Sequence, residues 1–367
     1  MTITNVNIYT SNFDFQKGSL SIDGERIVDT PQGEIIDGQG MYLIPGLIDL
    51  HFHGCVGYDF CDGTPEALNA IADYQAKSGI TAIAPASMTL PEETLAKVFA
   101  NAASHTSDKG AILCGINMEG PFFCTEKKGA QNGSYLKNPD IALYRRLQDA
   151  ANGLIKLVDV APELPDALPF ITEISKETVV SIGHSAADYQ TAKAGFDAGA
   201  SHVTHLYNAM TGFSHREAGI IGAAFDSGAN AELICDGVHV SDPVIRITFS
   251  LLGAEHIILI SDSMMAAGLD DGKYALGGQP VIVKGNVATL EDGTIAGSVT
   301  NLFDCMRHAI ACGIPKEDAV RAATYNPAKE LGVLSEMGTL EPGKLANFLL
   351  LDEDFNLQTV YVKGKRI

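Results

Sequence analysis

The chain has 367 residues, of which 46% are hydrophobic and 19% are charged, with 37 Gly and 15 Pro. This composition is typical of a folded globular protein with a large core and many turns, and it argues against a disordered chain. The formal net charge is -20 and no Lys/Arg-rich run is present, which argues against nucleic acid and anionic membranes as partners.

Targeting and disulfide signals are also missing from the sequence. The start, MTITNVNIYTSNFDF, has neither the basic flank nor the apolar segment of a secretory signal, and no stretch approaches the ~20 apolar residues of a membrane helix. The 7 cysteines form no CxxC pair, so we expect reduced thiols rather than a disulfide framework or a zinc ribbon. Cys55 and Cys61 lie near a histidine motif, but we interpret them as core thiols. These features predict a cytoplasmic protein.

The two ends of the chain share one pattern. Residues 1–40 contain short alternating runs broken by Gly, and residues 338–367 repeat that style, which predicts β-strands in both. Each end alone has too few strands to bury a face, so mutual pairing is the simplest solution. We therefore predict a small β-sandwich domain made of residues 1–41 and 331–367.

Residues 42–330 alternate between short apolar runs and Ala-rich amphipathic stretches, as repeated βα units do. Eight apolar runs in series and right-handed crossovers predict a closed (β/α)8 barrel, an α/β fold. Turn signals of the NG and DG type within residues 272–297 predict a β excursion over the barrel mouth. The eight runs lie near residues 42–54, 79–87, 112–120, 155–163, 178–185, 201–208, 231–237 and 256–263.

Five of these runs end in residues that bind metals or transfer protons, at the end of the barrel where active sites form. His51 and His53 are two apart on a strand and project to the same side. Alone, an HxH pair is more often structural, and each other residue could be a hydrogen-bonded barrel side chain. Their coincidence on separate strands favours a shared site. The residues are His51 and His53 (first run), Glu119 (third), His184 (fifth), His205 (sixth) and Asp262 (eighth).

This residue set has a definite chemistry. Imidazoles combined with a carboxylate suit Zn²⁺ or Fe²⁺ and leave a coordination position open. Asp262 can then act as the base that takes a proton from attacking water and returns it to a leaving nitrogen. The residues thus predict metal-dependent hydrolysis of an amide.

A series of motifs makes the prediction more specific. In chain order they are DLHFHG, NMEGPFF, KKGAQ, SIGHS, THLYNAM, DGVHV, ISDSM and IAGSVTNL. Together they resemble, over essentially the whole chain, the N-acetylglucosamine-6-phosphate deacetylases of the amidohydrolase superfamily. The resemblance implies conversion of N-acetylglucosamine 6-phosphate to glucosamine 6-phosphate and acetate, in amino-sugar catabolism and recycling, by a homodimer.

The resemblance also implies residue roles. Glu119, His184 and His205 resemble the ligands of the principal metal, and Asp262 resembles the general acid/base. His51 and His53 resemble the ligands of a second metal found in some members, so one or two divalent ions, Zn or Fe, are implied per subunit, with Glu119 as a bridge.

The substrate residues follow in the same way. Arg216 and His239 resemble the family's phosphate-binding pair, and Asn208 and the Ala209 backbone resemble its sugar-phosphate contacts, with one group implied to come from a neighbouring subunit. An Arg fork binds phosphate at two points. Without the resemblance, Arg216 reads equally well as a solvated loop cation.

One position departs from the family pattern. Gln131 stands where KKGAH is usual, in place of the histidine that the resemblance implies as a contact of the substrate carbonyl. As a substrate-binding residue it can still donate a hydrogen bond from its amide, but it does not titrate near neutral pH. This motivates an alternative substrate, another N-acyl hexosamine phosphate such as N-acetylgalactosamine 6-phosphate. A third hypothesis is a relative that has lost catalysis and serves in assembly. The presence of all six metal and acid/base residues argues against it.

The remaining histidines are interpreted as surface or packing residues: His105, His202, His215, His256 and His308.

Overall fold

A computed structural model describes residues 1–31, 33–106 and 109–367. Its strands, in chain order, are β1 (Thr2–Tyr9), β2 (Phe15–Asp23), β3 (Arg26–Val28), β4 (Ile35–Asp37), β5 (Tyr42–Pro45), β6 (Leu47–Asp49), β7 (Gly54–Cys55), β8 (Tyr58–Asp59), β9 (Ile80–Ile83), β10 (Ile112–Leu113), β11 (Ile116–Met118), β12 (Ile155–Val160), β13 (Val179–Ile182), β14 (His202–Val203), β15 (Asn230–Ile234), β16 (Ile257–Ile260), β17 (Gly272–Leu276), β18 (Gln279–Lys284), β19 (Val287–Thr289), β20 (Phe348–Leu351), β21 (Leu357–Val362) and β22 (Lys365–Arg366).

Most of the described helices follow a parallel strand, and some of them begin at a residue whose side chain caps the first turn. Thr64 accepts a hydrogen bond from Ala67 N at the start of the first helix, and Asp140 and Asn301 cap two others. Among the described residues, no helix is long and apolar enough to cross a bilayer. The helices are α1 (Pro65–Lys77), α2 (Glu92–Ala103), α3 (Ile141–Ala150), α4 (Ala167–Ile174), α5 (Tyr189–Asp197), α6 (Gly219–Ser227), α7 (Asp242–Leu252), α8 (Leu302–Ala311), α9 (Lys316–Ala323) and α10 (Tyr325–Glu330).

A curled parallel sheet occupies the middle of the α/β fold. Strands β11 to β16 pair in chain order, and β6, β9 and β10 form a second parallel group. A parallel bridge between Ala86 and Asn117 joins the two groups. Beyond the last strand, Asp262 N donates to His51 O, and His53 N donates to Ser263 O. The residues after the first and last parallel strands therefore lie side by side.

The two chain ends meet in a mixed sheet of order β22-β21-β20-β5-β1-β2-β3, with β4 beside β1. The run near residues 42–54, expected as one strand, in fact divides at Gly46. Before it, β5 pairs with β20, and after it, β6 pairs with β9. A Cβ at Gly46 would overlap the Thr81 side chain, so only glycine lets the chain pass between the two sheets here.

A three-stranded antiparallel sheet, β17-β18-β19, follows the last parallel strand. Leu276 pairs with Gln279 across a two-residue turn made of Gly277 and Gly278, both with positive φ. Such a turn matches the twist of a hairpin and requires residues that tolerate the left-handed region. Gln279 Nε2 donates to Ala130 O, which fastens the hairpin to the loop that follows β11.

The core between the helices and the parallel sheet contains a cluster of aromatic rings. Phe170 in α4 lies edge-on to Phe122, with ring centroids 5.0 Å apart, and contacts Tyr144 of α3 at 6.0 Å. All three side chains are buried. Leu168, on the same helix, is exposed.

We expect Phe170→Ala to lower the free energy of unfolding by about 3–5 kcal/mol, because it removes a fully buried ring and leaves a cavity. Leu168→Ala is the matched control and should change it by less than about 0.5 kcal/mol. Denaturant titration of both variants followed by circular dichroism measures the difference, and equal effects of the two substitutions would contradict the packing described.

Candidate metal centre

The predicted metal and acid/base residues lie within four residues after parallel strands, and the structure brings all of them together. His51 and His53 follow β6, Glu119 follows β11, and the others follow β13, β14 and β16. Their side chains are buried, with exposed fractions of 0% to 7%. Polar groups buried to this extent need partners, so their mutual contacts define the site. The set comprises His51, His53, Glu119, His184, His205 and Asp262.

Glu119 is the central residue of this arrangement. Its Oε1 lies 2.9 Å from His184 Nε2 and 3.3 Å from His205 Nε2, and the two imidazole nitrogens are 3.1 Å apart. The ligand atoms of these three residues lie within 4.8 Å of one another. One carboxylate and two imidazoles that face a common point form a typical set for a transition-metal ion.

A second group shares the same carboxylate. His51 Nε2 lies 3.6 Å from Glu119 Oε1, and His53 Nε2 lies 3.4 Å from Glu119 Oε2. These three residues also hold their ligand atoms within 4.8 Å of one another. Asp262 Oδ1 lies 3.3 Å from His53 Nε2 and 3.8 Å from His51 Nε2. Glu119 therefore stands between two histidine pairs, with Asp262 beside one of them.

The donor set fits a cation, because the imidazoles turn their Nε2 atoms inward. Nδ1 of His53 lies 3.3 Å from Ala86 O, and Nδ1 of His184 lies 3.0 Å from Lys127 O. A carbonyl at Nδ1 requires the proton there and leaves Nε2 as a lone-pair donor. His51 Nε2 is buried without a hydrogen-bond partner, as expected for an atom aimed at an ion.

Glu232 supports this arrangement, and the sequence pattern did not identify it as part of the site. Its Oε2 lies 2.8 Å from His51 Nδ1 and accepts the backbone N–H of His205 at 2.8 Å. Its Oε1 lies 3.2 Å from His202 Nε2, and His202 Nδ1 lies 2.8 Å from Glu330. His202 is therefore part of a buried charge network and not only a packing residue.

The backbone at three of the site residues is strained. His184, His205 and Asp262 have φ of 47°, 27° and 49°, in the left-handed region that non-glycine residues avoid. Each such residue costs on the order of 1–3 kcal/mol, and such costs concentrate at functional sites. The turns after β13, β14 and β16 are therefore shaped to direct these side chains inward at the expense of stability.

The electrostatics keep the carboxylates charged. Burial raises the pKa of Glu119, but the surrounding histidines, His53 foremost, outweigh it and hold that pKa well below its usual range. Burial likewise raises the pKa of Asp262, and a hydrogen bond with His53 and the charges of His51 and His53 lower it on balance. Burial lowers the pKa of His184 and keeps its imidazole neutral. Burial also lowers the pKa values of His51 and His53, but the neighbouring carboxylates outweigh it and raise both. A divalent ion would therefore displace the proton that a raised pKa favours on these histidines, since the neutral imidazole is the form that binds metal.

The metal-binding groups open into a cavity of about 480 Å³. Gln131, Asn208, Ala209 and His239 all line it. Gln131 Nε2 donates to Glu119 Oε2 at 2.7 Å, and its Oε1 accepts Thr89 N at 2.7 Å. The Gln131 amide therefore binds the central carboxylate, and the residue also lines the cavity.

The cations near the cavity differ from those expected. Lys127 and Lys128 line it, whereas Arg216 is exposed on the turn before α6 and is not among the lining residues of the described chain. His239 is held by Asp236, whose Oδ2 lies 2.7 Å from its Nδ1, and this contact outweighs burial and raises the pKa of His239. Both lysines belong to the KKGAQ motif, but the prediction from the sequence assigned them no role.

Comparison with known proteins gives a consistent result. Residues 42–367 match the model of the amidohydrolase family. The chain is 34% identical to the N-acetylglucosamine-6-phosphate deacetylase of Bacillus subtilis (strain 168), covering 99% of this chain and 96% of that one. It is 35% identical to the N-acetylgalactosamine-6-phosphate deacetylase of Escherichia coli O157:H7, over 88% and 87%. The crystal structure of N-acetylglucosamine-6-phosphate deacetylase from Pasteurella multocida superposes with a TM-score of 0.93 at 31% identity, covering 100% and 99%.

We expect Glu232→Gln to weaken metal binding by about 10- to 100-fold, since it removes the charge that orients His51. The affinity is measured by titrating metal-free protein with Zn²⁺. Glu330→Gln, in the same network but without contact to His51, is the control and should change the affinity little. Unchanged affinity in Glu232→Gln would show that this carboxylate does not support the site.

Proposed function

The chain belongs to the amidohydrolase family, in the group of N-acetylglucosamine-6-phosphate deacetylases, and we propose that it hydrolyses N-acetylglucosamine 6-phosphate to glucosamine 6-phosphate and acetate. The observation that carries the proposal is Glu119 set between two histidine pairs, with Asp262 beside them, at the floor of a cavity that contains Lys127, Lys128 and His239. This arrangement combines amide hydrolysis with binding of an anionic sugar.

The chemistry divides between the ion and the side chains. A divalent ion, when bound, lowers the pKa of water and polarises the carbonyl of the acetamide. Asp262 is ionised and faces the cavity, so its carboxylate can accept the proton of the attacking water. The same proton then passes from Asp262 to the leaving nitrogen, which departs as the amine of the sugar.

The metal site is proposed to hold Zn or Fe. Glu119, His184 and His205 would hold the principal ion, and His51 and His53, with Glu119 as a bridge, would hold a second. The carboxylate contacts on both sides of Glu119 support two ions per subunit, and the choice of metal follows from availability, since His/Glu sites accept several divalent ions.

The phosphate is proposed to lie near His239, Asn208 and Ala209 in the cavity. Because Arg216 lies outside the cavity of the single chain, we propose that phosphate binding uses a homodimer, in which an Arg216 guanidinium completes the site from a neighbouring subunit. The galactosamine epimer is not favoured as a substrate, because the Bacillus glucosamine relative matches 99% of the chain against 88% for the Escherichia coli galactosamine relative at nearly equal identity, and the Pasteurella structure also bears the glucosamine name. The complete ligand set likewise gives no support to a non-catalytic assembly protein.

We further propose that the curled sheet is a closed (β/α)8 barrel of residues 42–330, interrupted by the excursion at about 272–297. The hydrogen bonds between residues 51–53 and 262–263 support closure. The mixed sheet of the chain ends would then belong to a small β-sandwich of residues 1–41 and 331–367. The cytoplasmic location stays a prediction.

We expect Asp262→Asn to lower kcat by about 10²- to 10⁴-fold while metal content is retained, because the amide cannot carry the proton. Acetate release from N-acetylglucosamine 6-phosphate measures the rate. Asp270→Asn, on the exposed turn before β17, is the control and should keep the wild-type rate. Full activity in Asp262→Asn would remove the proposed mechanism.

We expect Arg216→Ala to lower kcat/KM for N-acetylglucosamine 6-phosphate by about 10- to 100-fold, the equivalent of one charge-assisted hydrogen bond. The unphosphorylated sugar, assayed in parallel, should be hydrolysed poorly by both proteins and to the same extent. An equal proportional loss on both sugars would show that Arg216 does not act on the phosphate.

A further inference from the structure

A third group of metal-ligating side chains lies outside the candidate metal centre, in the part of the chain that the structure describes. Asp242 is the first residue of α7, and His308 and Cys312 lie at the end of α8. The ligand atoms of the three residues lie within 4.8 Å of one another. His308 and Cys312 are four positions apart on a helix, so their side chains lie on one face.

The contacts within this group are those of an incomplete ligand set. His308 Nε2 lies 3.1 Å from Asp242 Oδ1. Burial and the Asp242 carboxylate raise the pKa of Cys312 to about 11, so the group holds a thiol when no cation is bound. Arg246 donates to the backbone carbonyl of Cys312 at 3.0 Å, which fixes the end of α8 without using the sulfur atom.

The position of the group allows an ion to enter. The side chains of Asp242 and His308 are 53% and 34% exposed, whereas Cys312 is only 8% exposed. The sulfur therefore lies at the bottom of a shallow site, and the carboxylate and the imidazole form its rim. None of the three residues lines the substrate cavity.

The group also packs against a turn that reaches the substrate cavity. A Cβ at Gly237 would lie 3.1 Å from Cε1 of His308, and Gly237 has φ of 72°, so glycine is required at this contact. Gly237 lies between Asp236 and His239, which are joined by a hydrogen bond. The His308 ring thus packs against the turn that places His239 at the substrate cavity.

We propose that Asp242, His308 and Cys312 form a peripheral site for Zn²⁺ or a similar divalent transition-metal ion, with water as the remaining ligand. One carboxylate, one imidazole and one thiolate suit Zn²⁺ and disfavour Mg²⁺ and Ca²⁺, which prefer oxygen ligands alone. Binding replaces the thiol proton, which leaves to solvent, by a metal–sulfur bond. The ion joins the first turn of α7 to the end of α8 and stiffens the support of the His239 turn.

Cobalt separates this site from the candidate metal centre. Full-length protein is freed of metal and titrated with Co²⁺, and a near-ultraviolet band from thiolate-to-cobalt charge transfer is recorded. Neither ligand group at the candidate metal centre contains cysteine, so the band reports the peripheral site. We expect a band whose amplitude corresponds to one thiolate-bound cobalt per chain, that disappears in Cys312→Ser, and that requires at least about tenfold more Co²⁺ in His308→Gln and Asp242→Asn.

Two matched variants complete the test. Cys114→Ser, a cysteine substitution elsewhere, should keep the band, and so should His184→Gln, which damages the candidate metal centre. Absence of the band in folded wild-type protein, or its persistence in Cys312→Ser, would overturn the proposal. If Cys312→Ser does not fold, judged by circular dichroism, the exposed Asp242→Asn variant decides, and unchanged cobalt affinity there overturns the proposal. The result is independent of the deacetylase assay.

Discussion

The burial of the Glu119 carboxylate is the constraint on which the rest of the structure depends. An ionised carboxylate removed from water is costly unless opposite charge or hydrogen-bond donors surround it. Here four histidines and the amide of Gln131 face it, and they come from separate segments of the chain. The parallel sheet is the scaffold that makes this convergence achievable, since the residues following its strands meet at one end.

The same demand explains the strain and the charge network around the site. His184, His205 and Asp262 adopt left-handed backbone conformations that the local sequence does not favour, and the surrounding core must offset that cost. Glu232 contributes by binding both the ring of His51 and the backbone of His205. A single buried acid thus fixes the imidazole of one site histidine and the backbone of another.

Much of this could be predicted from the sequence, for identifiable reasons. His51, His53, Glu119 and Asp262 stand where apolar runs end, and strand ends are where barrel chemistry is expected. Glu232 was not predicted because it lies inside an apolar strand, where the sequence pattern indicates a buried position but not which residues the side chain contacts. The division of the first run at Gly46 was missed since the side chain of Thr81 that requires glycine is distant in sequence. The outward position of Arg216 depends on loop conformation, which motif order does not contain.

The hairpin of β17 and β18 has a consequence for how such a protein can diversify. Its Leu276, with Thr294, Ile295 and Gly297 from the excursion, forms one wall of the substrate cavity, while the metal-binding groups come from the parallel strands. The hairpin packs on the rest of the chain through a small apolar cluster that includes Met88 and Met264, and through the contact of Gln279 with Ala130. One wall of the cavity and the metal-binding groups therefore lie on separate parts of the chain, which can change independently. A lineage, or an engineer, can graft a different hairpin to admit another acyl group or sugar while the hydrolytic machinery is inherited intact.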